Sequence, residues 1–239
     1  MRGILATLFL FFTGAASAES PRVAIIIDDL GYHLANGKRA IDLPGPVSYS
    51  FLPGGPRARV LAELAHGLDK DILLHLPLQA YRDDERSEPT EIHIGMSRVR
   101  VSNALDEALA SVPHVVGINS HRGSLLTRHP GHMQWLMEAI REREDLFFID
   151  SFTHHESVAV QIARENGINA TRRDVFLDPD TSPETVAREF ERMKDLAREH
   201  GQVIAIGHPH PTTLELLERE LPRLAEQGFE LVAITELLR

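Results

Sequence analysis

The chain contains no cysteine among its 239 residues. It therefore has no disulfide bonds, and its stability must rest on a hydrophobic core. It also has no thiolate to offer a metal ion, so any metal ligands must be imidazole nitrogens or carboxylate oxygens.

Clustered positive charge is missing as well. The chain has 25 lysine and arginine residues against 35 aspartate and glutamate residues, which gives a net charge of -10 and leaves no long basic block. Because the phosphate backbone of nucleic acid requires clustered Lys and Arg, we expect no nucleic-acid partner.

The only apolar segment typical of a targeting or membrane sequence lies at the start of the chain, and it is short. Arg2, the apolar run 4–12 and the A-x-A sequence 16–18 predict a signal peptide of residues 1–18. The alternative is a retained anchor, but the run is shorter than the ~20 residues that span a bilayer. We therefore expect one domain, residues 19–239, in the periplasm or outside the cell, with no stable membrane span after cleavage.

Strand-like and helix-like patterns alternate along the rest of the chain. Predicted strands are residues 23–27, 47–52, 72–76, 114–118, 146–149, 203–206 and 231–234. Predicted helices are residues 57–66, 102–110, 133–143, 157–166, 183–200 and 214–227. This alternation predicts a mostly parallel sheet, either an open doubly wound sheet or a (β/α) barrel. We favour the barrel because polar residues follow several different strands, which a barrel brings to one mouth.

Two adjacent aspartates end the first predicted strand. Asp28 and Asp29 follow five apolar residues and precede Leu30 and Gly31. Paired carboxylates repel each other and are costly to bury unless a cation or hydrogen bonds compensate. One aspartate could instead cap the next helix while the other is solvated. The carboxyl end of a buried strand is, however, where α/β proteins bind ligands, which favours a site.

Polar residues follow four other predicted strands in the same way. They are His75, the cluster from Asn119 through His121 to Ser124, Asp150, and His208 in a proline-stiffened loop. Two histidines and one aspartate would suit Zn²⁺ or another divalent first-row metal. The remaining aspartate and histidine could then act as general base and general acid, which predicts a hydrolase.

Six motifs in order resemble those of the divergent polysaccharide deacetylase family, a branch of the NodB-type carbohydrate esterases. They are IDDLG (27–31), LHLPL (74–78), GINSHRGS (117–124), FIDS (148–151), RDVFLD (173–178) and AIGHP (205–209). The resemblance implies a distorted (β/α) barrel of about seven mostly parallel strands. It also implies metal-dependent removal of acetyl groups from an N- or O-acetylated polysaccharide or peptidoglycan-type glycan.

The resemblance also implies roles for individual residues. Asp28 corresponds to the catalytic base, Asp29 to a metal ligand and His208 to the catalytic acid. NodB-type enzymes complete the metal site with an H-x3-H pair, which this sequence lacks. We infer that His75 and His121 are the other ligands, because they follow neighbouring strands and lie in the family's motifs, and we expect zinc as the metal.

Five further residues are expected to orient the ligands or His208: Asn119, Asp150, Ser151, Arg173 and Asp174. Asp150 and Ser151 resemble an Asp-Ser pair of a deacetylase motif. An ordinary salt bridge is the alternative for Arg173 and Asp174. The role of His210 stays open. The charged stretch 79–97 could form a solvated loop across or beside the site, but an inert charged loop is the favoured interpretation.

Two other functions remain as alternatives. Without H-x3-H, the chain could be a catalytically silent glycan-binding or envelope protein on the same barrel. A metal phosphoesterase is less favoured, because two-metal sites need more carboxylates and histidines than converge here.

Overall fold

The structure, a computed structural model, describes residues 20–81, 88, 90–143 and 145–238. The predicted signal peptide, residues 1–18, lies outside the described residues. So do residues 82–87 and 89 of the charged loop. Among the residues that are described, no helix is long and apolar enough to cross a membrane.

One sheet of nine strands forms the centre of the described structure. The strands are β1 (Arg22–Leu30), β2 (Ser48–Phe51), β3 (Ile72–Leu78), β4 (Val115–Arg122), β5 (Phe147–Asp150), β6 (Ala170–Arg172), β7 (Val175–Phe176), β8 (Gln202–Gly207) and β9 (Glu230–Leu231). Every pairing between them is parallel, in the order β6-β5-β4-β3-β2-β1-β8-β7, and β9 pairs with the start of β1.

Helices connect the strands, as parallel pairing requires. They are α1 (Leu34–Ile41), α2 (Ala58–His66), α3 (Arg98–Ser111), α4 (Pro130–Arg141), α5 (Ala159–Glu165), α6 (Pro183–His200), α7 (Pro211–Glu220) and α8 (Ile234–Leu238). Helix α6 has the predicted bounds because Ser182 caps its first turn, Pro183 starts it and Gly201, at φ 79°, ends it.

The sheet curls until its two ends nearly meet. Strands β6 and β7 are the ends of the strand order, yet only Arg173 and Asp174 separate them in the chain. Three Cα–Cα steps span at most ~11 Å, so the two ends must lie close together. The Arg173 amide donates to Asp150 O at the end of β5, and the Asp174 amide donates to Ile204 O in β8. The predicted distorted (β/α) barrel is thus confirmed.

Two apolar clusters lie on the two faces of this curled sheet. The larger one packs the outward residues, such as Val23, Ile25 and Ile27 of β1, among residues of the helices. The smaller one fills the interior of the barrel and includes Ala24 and Ile26 of the same strand. Because side chains alternate along a strand, the sequence of β1 assigns Asp28 to the interior face, directly after Ile26.

Candidate active site

The alternation of side chains brings polar residues of four strands to the interior face at one end of the barrel. Asp28 and His75 each lie two positions after an inward residue, Ile26 of β1 and Leu73 of β3. Ser50 is inward on β2. Asn119 and His121 continue the inward series of β4, and the register pairs His75 with Asn119. These residues form the polar layer above the apolar interior cluster.

Asp29 joins this layer through a local change of backbone direction. Simple alternation would turn its side chain away from Asp28. Its φ of 58° departs from extended geometry, however, and the pairing of β1 with β2 shifts register between Ile27 and Leu30. Aspartate tolerates this left-handed conformation better than most residues. The bend therefore lets two consecutive carboxylates face the same mouth.

Three side-chain atoms from β1, β3 and β4 form a nearly equilateral triangle. Asp29 Oδ1 lies 3.2 Å from His75 Nε2 and 3.1 Å from His121 Nδ1, and the two ring nitrogens are 3.0 Å apart. Tetrahedral ligands with bonds of ~2.1 Å to zinc would stand roughly 3.4 Å apart. The spacing of the three atoms therefore suits one small cation.

The chemistry of the triangle also fits a cation. Asp29 Oδ1 is buried and receives no hydrogen bond of acceptable geometry from the described residues. Burial raises the pKa of Asp29, but the contacts with the His121 and His75 rings outweigh it and hold the pKa well below its usual range. An ionised carboxylate facing two imidazole nitrogens is a donor set for a divalent first-row metal.

The amide of Asn119 links one of these histidines to Asp28. Its Nδ2 donates to Asp28 Oδ1 at 2.8 Å, so its Oδ1 faces His75, whose Nδ1 donates to it at 2.9 Å. The hydroxyl of buried Ser50 donates to the same oxygen. Since the proton of His75 is thereby placed on Nδ1, its Nε2 carries the free lone pair that faces Asp29.

Asp28 is enclosed in the barrel. Its side chain is only 2% exposed, and burial raises its pKa above the usual range of an aspartate. Its Oδ2 lies 3.6 Å from His75 Nε2. A carboxylate that binds protons more tightly than a solvated one suits a general base beside a cation site.

His208 reaches the opposite side of Asp29. Its Nε2 lies 3.7 Å from Asp29 Oδ2, while Asp178 Oδ1 accepts from its Nδ1 at 2.8 Å. Asp178 Oδ2 accepts from the His208 amide and from the hydroxyl of buried Thr213. Burial lowers the pKa of His208, but the hydrogen bond to Asp178 and the charges of Asp28 and Asp29 together outweigh it, so that its pKa is raised.

The outer nitrogen of His121 contacts a residue of the charged loop. Glu88 Oε1 lies 3.0 Å from His121 Nε2 and 3.7 Å from the Arg122 guanidinium. Burial lowers the pKa of His121, but Asp29 and Glu88 outweigh it and raise the pKa to about 9. At least this residue of the predicted loop therefore lies at the site.

The other residues predicted to support the site hydrogen-bond mainly to nearby backbone groups. Arg173 donates from Nε to Ser151 O at 2.8 Å and interacts electrostatically with Asp28. The Ser151 amide donates to Ser120 Oγ.

Asp150 and Asp174 bond to backbone amides. Asp150 lies two positions after Phe148 on the outward face of β5, where its Oδ1 accepts from the Phe152 amide. Asp174 Oδ2 accepts from the Ile204 amide. The His210 ring lies 5.8 Å from that of His208.

Three residues of the site were not given roles from the sequence: Ser50, Glu88 and Asp178. Ser50 lies inside an apolar run, and Glu88 lies in a charged loop. Asp178 belongs to a quoted motif, but its partner His208 is 30 positions away. Only the position of Ser50 could have been found from the sequence, because side chains alternate along a strand and Ser50 occupies an inward position of β2.

Sequence comparison relates the chain to known proteins. A family model described as "Divergent polysaccharide deacetylase" matches residues 25–238. An uncharacterized protein of Haemophilus influenzae is 37% identical over 228 residues, which are 95% of this chain and 80% of that protein. The uncharacterized protein YibQ of Escherichia coli is 36% identical over 214 residues, which are 88% of this chain and 66% of that protein.

Structural comparison identifies the same barrel in solved structures. The uncharacterized protein ATU2773 of Agrobacterium tumefaciens superposes with a TM-score of 0.87 at 22% identity, covering 93% of this chain and 91% of that one. The peptidoglycan N-acetylglucosamine deacetylase Bc1960 gives 0.57 at 12% identity, with coverage of 92% and 88%. BA3943 of Bacillus anthracis, a CE4 family pseudoenzyme, gives 0.54 at 14%, with coverage of 92% and 66%. At these identities the likeness shows a shared fold.

Proposed function

The chain belongs to the divergent polysaccharide deacetylase family, and from that membership we propose that it is a metal-dependent hydrolase. Its substrate would be an N- or O-acetylated polysaccharide or a peptidoglycan-type glycan, from which it would remove acetyl groups. The observation that carries the proposal is the convergence of Asp29, His75 and His121 between two further groups, Asp28 and His208.

Asp29, His75 and His121 would hold the cation, and their nitrogen and oxygen atoms suit zinc. When bound, it would supply Lewis-acid polarisation of the acetyl carbonyl and stabilise negative charge on that oxygen. The chain itself prepares two of the three ligands, because Asn119 fixes the tautomer of His75 and the backbone bend directs Asp29 inward.

Asp28 would accept the proton of the attacking water. Asn119 occupies its Oδ1, which leaves Oδ2 on the side of His75 to receive that proton. Burial raises the pKa of Asp28, so the carboxylate is a stronger base than a solvated aspartate. The hydrogen bond from Asn119 keeps the carboxylate in place during the transfer.

His208 would donate a proton to the departing amine or alcohol. Asp178 binds its Nδ1, so the proton to be given is on Nε2, the nitrogen that faces Asp29. The raised pKa keeps the ring protonated over more of the neutral range than a solvated histidine. Arg173, which interacts electrostatically with Asp28, would balance part of the negative charge of the site.

The place of action follows from the same proposal. An acetylated cell-envelope glycan lies beyond the inner membrane, which agrees with the signal peptide predicted for residues 1–18. We therefore propose a periplasmic or secreted enzyme whose partner is the glycan.

The experiment is acetate release from acetylated glycans, measured with zinc-loaded protein and with Asp28→Asn. The proposal expects release by the wild type and at least a 10²-fold lower rate for the variant, because it loses the general base. Asp28→Asn should keep its metal, since Asp28 is not one of the three ligands. Absence of release from a broad panel, at full metal occupancy, would reject the enzymatic function.

A catalytically silent glycan-binding protein is the second candidate. The missing H-x3-H pair favours it, and the shared fold with a CE4 pseudoenzyme gives a precedent for the barrel alone. Calorimetry with peptidoglycan fragments separates the two: binding without turnover supports the silent protein, and turnover that a chelator abolishes supports the enzyme.

A further inference from the structure

We propose that Glu88 positions His121, so that this histidine meets the cation through Nδ1. Glu88 comes from the charged loop after β3 and is not one of the three proposed ligands. The inference rests on the proposed metal site and adds a residue on which its affinity depends.

The two histidines of the triangle face it with different nitrogens. His75 presents Nε2, while His121 presents Nδ1, 3.1 Å from Asp29 Oδ1. Each ring therefore has its other nitrogen turned away from the triangle. In His75 that nitrogen contacts Asn119 Oδ1 at 2.9 Å, and in His121 it contacts Glu88 Oε1 at 3.0 Å.

The acceptor on the outer nitrogen determines where the proton of a neutral imidazole resides. A carboxylate oxygen accepts a hydrogen bond, so when a cation takes the place of the proton on Nδ1, the contact with Glu88 keeps the remaining proton of His121 on Nε2. Nδ1 then carries the lone pair that a cation requires. Carboxylates that accept from the outer nitrogen of a metal-ligating histidine fix its tautomer and ring orientation and make it a better ligand.

Glu88 is held in position through both its side chain and its backbone. The Arg122 guanidinium lies 3.7 Å from Oε1. On the chain side, the Glu91 amide donates to Glu88 O, and Ile92 then pairs with β3 through Pro77 O and the Gln79 amide.

The test uses three variants, Glu88→Ala, Glu88→Gln and the control Glu156→Ala. Glu156 is an exposed carboxylate whose ion pairs are with Arg128 and His154, so it touches none of the three ligands. Zinc affinity is measured by competition with a chromophoric chelator. We expect Glu88→Ala to bind zinc about 10–100-fold more weakly. Glu88→Gln should recover part of this loss, because its amide oxygen still accepts from Nε2, and Glu156→Ala should match the wild type.

A second readout reports the tautomer directly. Long-range ¹H–¹⁵N spectra of the zinc-loaded wild type should show His121 with a proton on Nε2 and zinc on Nδ1. This measurement decides the inference even if Glu88→Ala folds poorly. Coordination of His121 through Nε2, or wild-type affinity in Glu88→Ala, would overturn the role of Glu88 and leave the metal site standing. Failure of the wild type to bind zinc would instead overturn the proposed function.

Discussion

Asn119 connects the proposed base and one proposed ligand through a single amide. It donates to Asp28 and accepts from both His75 and Ser50. The sequence placed Asn119 near the site because it follows an apolar strand. Its bonding pattern depends on side chains 44 to 91 positions away. Contacts at that separation arise from strand register, which a single sequence does not specify.

Replacing Asn119 by alanine should therefore weaken metal binding and also change the pKa of Asp28. We expect metal affinity to fall about 10–100-fold, because His75 loses the acceptor that fixes its tautomer. The pKa of Asp28 should rise further, since its carboxylate loses a hydrogen bond, and the acidic limb of the rate profile should move to higher pH. Titration with zinc and a pH profile check this. Ser50→Ala is the milder control, and equal effects of the two variants would contradict the assignment.

The Asp178–His208 pair predicts a second pH effect. In the proposed mechanism His208 acts as an acid, so activity should be lost as pH rises through its pKa, which Asp178 raises. Asp178→Asn removes the charge that favours the protonated ring. The alkaline limb of kcat should therefore shift to lower pH, with the acidic limb unchanged. An alkaline limb that stays in place would show that His208 is not the group that titrates.

At the scale of elements, long apolar runs were sufficient to predict structure, and short polar ones were not. Six of the seven predicted strands are present, and α6 has its predicted bounds. The seventh, 231–234, is wrong beyond Leu231, because β9 ends there and Ile234 begins α8. Strands β6 and β7 were missed because they have three and two residues, and β6 is partly polar. Helix α1 was missed because its pattern contains Asn36 and Gly37. The predicted helix 214–227 ends early, at Glu220, and a short 3-10 helix containing Pro222 follows.

Strand β4 depends on a glycine where it packs against β5. A Cβ on Gly117 would stand 2.2 Å from the ring of Phe147, which is buried in the interior cluster. Gly117→Ala should therefore lower the free energy of unfolding by about 1–3 kcal/mol through overpacking.

Gly67→Ala is the matched control for that experiment. Gly67 ends α2 at φ -64°, and its nearest neighbours would be 3.5 Å from a Cβ. The control should be neutral or stabilising by up to ~1 kcal/mol. Urea unfolding of both variants checks the pair. Equal stabilities would contradict the close packing of β4 on β5.

At the scale of the whole molecule, Arg173 and Asp174 link the two ends of the sheet, and polar side chains meet at one mouth as a result. The alternation of strands and helices along the chain made the barrel predictable. The alternation of side chains along each strand explains why Asp28, His75 and Asn119 share its interior. Asp29 does not follow this alternation, because a backbone bend that sequence patterns do not reveal turns its side chain inward. Glu88 depends on how the charged loop meets the mouth, which composition does not specify.

Export is a separate prediction about the whole chain. Expression in a Gram-negative host should yield a periplasmic protein that begins at Glu19, because cleavage is expected after Ala18. Intact-mass spectrometry of the osmotic-shock fraction measures this. A product that keeps residues 1–18 and sediments with membranes would show a retained anchor instead.

The proposed function requires Asp29, His75 and His121 to hold one divalent metal without an H-x3-H pair. Elemental analysis of purified, zinc-equilibrated protein tests it most directly, on the wild type and on alanine variants of the three residues, with Asp28→Asn as the control. We expect about one zinc per wild-type and Asp28→Asn chain, and loss of zinc from each of the three alanine variants with the fold intact. Full zinc occupancy in the alanine variants, or none in the wild type, would contradict it.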